Sequence, residues 1–109
     1  MAARPVQFRD RASADLDEAI DYYLSEAGQD VALRFVDAVE RTARRAGKNP
    51  QLGTLRFAYE LGLPGLRALP VGRYPHLMFY VGREDVIDVW RLLHTSRDIP
   101  NTLQDSAND

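Results

Sequence analysis

Apolar residues recur along this chain with two different periods, and the change from one to the other divides it. Leu16, Ala19, Ile20, Tyr23, Leu24 and Ala27 follow at spacings of three and four, which puts them on one face of a helix. Ser13 is the predicted N-cap. The carboxylates Asp15, Asp17 and Glu18 follow it, where the positive helix end favours them, and Gly28 stops the helix. A second helix is predicted from near Asp30. Its stripe is Ala32, Phe35, Val36, Val39, Ala43 and Ala46, and Gly47 with Pro50 ends it. Only Gly28-Gln29-Asp30 joins the two, so they form an αα-hairpin.

From Leu66 onward the period is two. Leu66–Val71, His76–Val81 and Val86–His94 are predicted strands, and the short links between them force an antiparallel meander. Val6-Gln7-Phe8, after Pro5, reads as a first edge strand. Residues 48–65 carry Pro50, Gly53, Gly62, Pro64 and Gly65 and read as one long irregular connection, within which Phe57, Tyr59 and Leu61 alternate as strand residues would. The predicted fold is α+β, in the order β-α-α-β-β-β, with a helical hairpin packed on a small, mainly antiparallel sheet. Residues 1–99 make one domain; the segment from Thr95 starts with Thr-Ser-Arg-Asp, which can form one helical turn, and residues 100–109 read as a polar tail that frays and can be removed at little cost to folding.

Composition narrows the chemistry. The 109 residues include no cysteine, which excludes disulfides and thiol nucleophiles and fits a reducing cytoplasm. With only His76 and His94, a histidine-rich metal site is not expected, and no cofactor is called for. No apolar run approaches the roughly 20 residues of a spanning helix, and no secretory signal is visible at the start. Fourteen basic against sixteen acidic residues give a charge of −2, unlike a protein that grips long nucleic acids; no direct sequence-specific nucleic-acid binding is expected. The sign is uneven, however. Residues 50–83 carry Arg56, Arg67, Arg73 and Arg83 against Glu60 alone, while the segment from Asp98 onward holds three aspartates and no cation.

An ordered set of residues then makes the chain resemble a known family. The first helix carries Ala14-x-x-Asp17 and then Tyr22-Tyr23; the second carries Ala32-x-x-Phe35. Pro50 and Gly53 follow, then Leu66-Arg67-x-Leu69-Pro70-Val71-Gly72, Tyr80, and finally Val89-x-Arg91-Leu92-Leu93-His94-x-x-Arg97-Asp98. Over residues 5–99 this is similar to the ParE branch of the RelE/ParE toxins, the toxic halves of bacterial toxin–antitoxin pairs. The resemblance implies one of two activities on one fold. RelE-like members cleave messenger RNA on the ribosome, whereas ParE-like members inhibit DNA gyrase and are neutralised by a ParD-like antitoxin, with which they form a hetero-oligomer.

Residue chemistry weighs on that choice. Cleavage by the RNA 2′-hydroxyl needs a base, cations for the phosphorane and an acid for the leaving oxygen. Arg67, Arg73, His94 and Arg97 are the candidate set for such a nuclease. Against it stand a single lysine, Lys48, the lack of tyrosine after Tyr80, and the acidic end. His94 also reads as a structural residue that caps a strand and holds the Thr95-Ser96-Arg97-Asp98 turn. Arg67 and Arg91, inside strands, are expected to meet a carboxylate or the carbonyls of a partner. The reading favoured is a non-catalytic inhibitor with no catalytic residues, the endoribonuclease being the alternative and a non-toxic antitoxin-binding module a third.

Surplus apolar residues give the expected contact surface. Tyr22 and Leu24 flank the first stripe, Leu33 lies off the second, and Met78, Tyr80, Trp90 and Leu92 exceed what a small sheet needs on one face. The far sheet face is expected to remain uncovered by this chain and to form a groove. Leu24, Leu33, Arg67, Tyr80 and Trp90 are the expected antitoxin-binding residues.

Overall fold

The computed structural model describes residues 2–108. A three-residue strand β1 (Val6–Phe8) leads into helices α1 (Asp10–Ala27) and α2 (Gln29–Lys48). Helix α3 (Arg56–Leu61) precedes strands β2 (Leu66–Pro70), β3 (His76–Gly82) and β4 (Ile87–His94), and helix α4 (Ile99–Ala107) follows them. The sheet order is β1-β4-β3-β2. β2, β3 and β4 form the predicted antiparallel meander, and β1 joins its edge parallel to β4, with Gln7 opposite Asp88. Gly28 joins α1 to α2 at φ +93°, a conformation an L side chain resists. No helix among the described residues is long and apolar enough to cross a membrane.

The helical hairpin covers one face of the sheet. Phe35, Ala38, Val39 and Ala46 of α2 and Ala12 and Ala19 of α1 pack with Met78, Tyr80, Val89 and Leu92. Burying a large apolar side chain stabilises the fold by about 1.5–3 kcal/mol, so this layer carries the hairpin. Helix α1 starts earlier than its sequence suggests. Arg9 is the N-cap residue and Asp10 lies in the first turn, so Ser13 is inside the helix and caps nothing.

The second face of the sheet is covered too, contrary to expectation. Phe57, Tyr59 and Leu61, which alternate like strand residues, lie on α3 instead. Ala58 and Phe57 pack there against Phe79, Leu66 and Leu93, and Ile99 and Leu103 of α4 complete the layer. The expected frayed tail is therefore corrected. Residues 99–107 are helical, Leu103 is fully buried, and the Ser106 hydroxyl accepts a hydrogen bond from Arg91 at 3.2 Å. Pro100 sits in the first turn, where its missing N–H costs nothing, and the Asp98 carboxylate accepts from the Asn101 amide.

The hydrogen-bonding ladder is occupied along the outer side of β2 and on the stretch of β4 that β1 does not reach. Along the outer side of β2, Ala68 exchanges N–H···O bonds with Thr54 at 2.9 and 3.0 Å, and the Leu66 N–H donates to Leu63 O. On β4, pairing with β1 ends at Val89, and the Leu92 N–H beyond it donates to the Asp15 carboxylate at 3.0 Å.

Candidate functional site

The residues to which sequence assigns chemistry are dispersed, and three surfaces hold most of them. The first is a cavity of about 320 Å³ between α1 and the ends of β3 and β4, lined by Glu18, Tyr22, His76, His94, Ser96 and Arg97 among others. His76 and His94 are directly opposed across the β3–β4 ladder, their rings 5.2 Å apart edge to face. His76 is buried against Phe35 and Tyr23, and its Nδ1 has no hydrogen-bond partner among the described residues. Burial, followed by the neighbouring His94, pushes its pKa down to about 4, so at neutral pH the ring is uncharged.

His94 is exposed at the end of β4. Its Nδ1 accepts the Ser96 N–H at 3.0 Å, and its carbonyl accepts the Arg97 N–H at 3.0 Å. These bonds hold the turn into α4. Arg97 lines the same cavity. The other two candidates of the nuclease set lie elsewhere. Arg73 sits in the β2–β3 turn beside Arg34 and Arg41 of α2. Arg67, on β2, donates to Gln51 O at 3.0 Å and Gly53 O at 2.8 Å. The carbonyls that Arg67 meets belong to its own chain, in the loop before α3.

Tyr80 must be removed from the expected contact surface. It is 0% exposed, faces the helical hairpin together with Met78, and holds the loop before α3. Its hydroxyl donates to Pro50 O at 3.0 Å and accepts the Gly53 N–H at 2.9 Å. Gly53 is required there, because a Cβ would stand 2.9 Å from Ala68 O and 3.0 Å from that hydroxyl. Met78 and Leu92 are also buried under the hairpin. Trp90 is half-buried on the opposite face, where the Arg9 guanidinium lies 4.4 Å from its ring centre and its Nε1 donates to Asp88 at 3.3 Å.

The second surface is the exposed apolar part of the hairpin. Tyr22, Leu24 and Leu33 are 60%, 47% and 56% exposed. They lie near the tight α1–α2 connection, and no described element covers them. The third is a groove of about 560 Å³ between α3 and β2, lined by Leu55, Tyr59, Pro64 and Arg67 among others. Sequence reading missed this groove, since it depends on α3 being helical.

Asp15 was also missed. On sequence it is one of several first-turn carboxylates, yet it is buried and accepts two hydrogen bonds from Arg91 at 2.7 and 2.8 Å. The expectation that an inward Arg91 would meet a carboxylate is met by this residue. Helical spacing sets Asp15 apart from Asp17 and Glu18, since it stands three residues after Ala12 and four before Ala19 on the buried face, but its partner, 76 positions away, could not be read locally.

Comparison with known proteins agrees with this architecture. No curated protein sequence matches the chain. A solved structure described as the chromosomal ParDE TA system from P. aeruginosa superposes with a TM-score of 0.69 at 22% identity, covering 84% of this chain and 96% of that one. Over residues 6–99 the chain matches the family described as the ParE toxin of the type II toxin–antitoxin system parDE. The chain therefore belongs to the ParE toxin family of type II toxin–antitoxin systems, for which a ParD antitoxin is the implied partner.

Proposed function

We propose that the chain acts by binding, as a gyrase inhibitor that a ParD-like antitoxin neutralises, and not by cleaving RNA. One observation carries this reading: Arg67, Arg73, His94 and Arg97 do not face a common point. Phosphoryl transfer from a 2′-hydroxyl needs base, acid and cations within hydrogen-bond reach of one phosphate. Here Arg67 is bound to carbonyls, Arg73 faces α2, and His94 spends Nδ1 on the Ser96 turn. The antitoxin covers Leu24 and Leu33, with Tyr22 beside them, since these large apolar side chains are exposed and join neither buried cluster among the described residues. Trp90 and Arg67 contribute only at the margin, each being partly engaged already.

The test pairs a supercoiling and cleavage-complex assay on purified gyrase with a ribosome-bound mRNA cleavage assay. Lost supercoiling, accumulated gyrase-bound cut DNA and intact mRNA are expected. Cut mRNA with untouched supercoiling overturns the reading.

A further inference from the structure

The net charge of −2 conceals a separation of sign within the helical hairpin. α1 is rich in carboxylates, whereas residues 41–48 of α2 carry Arg41, Arg44, Arg45 and Lys48 and no acid. Between α2 and the β2–β3 turn runs an open cleft of about 450 Å³ flanked by Arg34, Arg41 and Arg73, with Asp37 the one carboxylate on it. All three arginines are exposed, and none makes an ion pair or side-chain hydrogen bond with another described residue. Complementing the helix dipole explains cations in the last turn of α2, such as Arg45 and Lys48. It explains neither Arg34, more than three turns upstream, nor Arg73, which is on another element.

We propose that this cleft is a docking surface for the sugar–phosphate backbone of nucleic acid, engaged without reading sequence. Arg34, Arg41 and Arg45 fall on one side of α2 by their spacing, over a length of roughly 16 Å at 1.5 Å per residue. A strand of duplex DNA rises about 3.4 Å along its axis per phosphate while winding around it, so a stripe of this length is long enough to meet several phosphates across the backbone at once. Guanidinium forks match phosphate oxygens in pairs. A protein partner would need a buried apolar anchor as well as charge, and the cleft offers none. Its only aromatic residue, Tyr74, is packed edge-on against Phe35 and Tyr23 at 5.0 and 5.6 Å. Attraction by charge alone is how proteins hold nucleic-acid backbones.

The test needs neither gyrase nor ribosome, so its outcome is independent of the reading above. Fluorescence anisotropy follows the full chain binding a labelled duplex of about 20 base pairs as salt rises from about 50 to 200 mM. Four phosphate contacts predict a log–log slope of about −3.6, roughly a hundredfold weakening over that range. Arg41→Ala and Arg73→Ala each make the slope shallower by about 0.9. Arg56→Ala, on α3 across the sheet and paired there with Glu60, leaves it unchanged. Both cleft residues are exposed, so the variants are expected to keep the wild-type melting temperature. Absence of binding at low salt, an equal loss in Arg56→Ala, or unchanged slopes in the two cleft variants overturns the proposal. So does tighter binding of a polyglutamate of equal charge, which would assign the cleft to an acidic protein.

Discussion

Asp15 and Arg91 form a two-point ion pair that ties three elements together. The Arg91 Nε and Nη2 donate to the two Asp15 oxygens at 2.7 and 2.8 Å, and its Nη1 donates to Ser106 Oγ. The same carboxylate accepts the Leu92 N–H, which has no β1 partner at that point. α1, β4 and α4 thus meet through one carboxylate and one guanidinium.

Asp15→Ala is expected to destabilise the protein by about 3–5 kcal/mol, the usual result of removing one partner of a buried pair. Urea denaturation measures it. A loss below about 1 kcal/mol would show that water or another group replaces the carboxylate at no cost.

The buried His76 makes stability depend on pH. Unfolded, an imidazole titrates near 6.5; folded, His76 is held down to about 4 by burial and by His94. The unfolded chain therefore binds the extra proton between those values, and stability falls as pH drops from about 6.5 towards 4, by at most about 3 kcal/mol. Asp88 acts in a lower window. Burial raises its pKa, but the hydrogen bonds and charges of Arg9 and Arg83 outweigh this and hold it below the ordinary carboxylate value. Its stabilisation is thus lost only at more acid pH. Unfolding midpoints at pH 7 and pH 5 should differ in the wild type and converge in His76→Phe; an unchanged difference in the variant would refute the assignment.

Leu103→Ala is expected to cost about 2–5 kcal/mol, because the side chain is wholly enclosed beneath α3 and β4. Truncation after Pro100 should cost more, since it also removes Ser106 from Arg91. Thermal unfolding of both variants decides whether α4 is part of the cooperative unit. Wild-type melting of the truncated chain would mean that it is not.

His94→Gln should remain toxic when expressed without antitoxin. A glutamine oxygen can still accept the Ser96 N–H, so the cost is one altered hydrogen bond, about 1 kcal/mol. General acid–base catalysis by His94 would instead lose roughly 10²–10⁴-fold. A folded variant without toxicity would favour the nuclease alternative.

Leu33→Asp places a charge on the exposed apolar surface and should weaken antitoxin binding by tenfold or more, about 1.4 kcal/mol. Trp90→Ala should do less than the 2 kcal/mol typical of a buried anchor, because the ring is already partly covered. Titration calorimetry with the ParD-like partner ranks the two. A larger effect at Trp90 would move the interface to the other face of the sheet.

Period and punctuation made the hairpin and meander legible, because Phe35, Val39 and Ala46, or Leu66 and Ala68, each have one buried direction. α3 was not legible. In six residues, a helix that buries Ala58 and leaves Tyr59 81% exposed offers too few turns to separate a period of 3.6 from one of two. α4 carried a readable signal in Asp98, Pro100 and the i, i+4 pair Ile99 and Leu103, outweighed by the polar residues around them. The facing of β4 was hidden by an irregularity between Phe79 and Tyr80: Tyr80 opposes Val89 while Phe79 opposes Arg91, so Trp90 is an extra residue. Tyr80 and Trp90 consequently belong to different layers. Within the candidate site, Leu33 could be found from helical spacing because it falls off the stripe, whereas Leu24 lies at stripe spacing and is exposed only because the sheet ends short of it, and the cleft flanked by Arg34, Arg41 and Arg73 required knowing how the β2–β3 turn meets α2.

The occupied ladder ends govern how other chains can attach. An incoming peptide cannot lengthen this sheet beside β2 without first expelling Thr54, nor beside the lower half of β4 without dislodging Asp15. β1, at the remaining margin, offers only three residues. So little free edge favours recognition through side chains meeting side chains, where a single substitution can create or abolish a match. Backbone pairing, by contrast, accepts many sequences. The same occupied stretches also leave concentrated toxin little exposed ladder on which to stack into fibres.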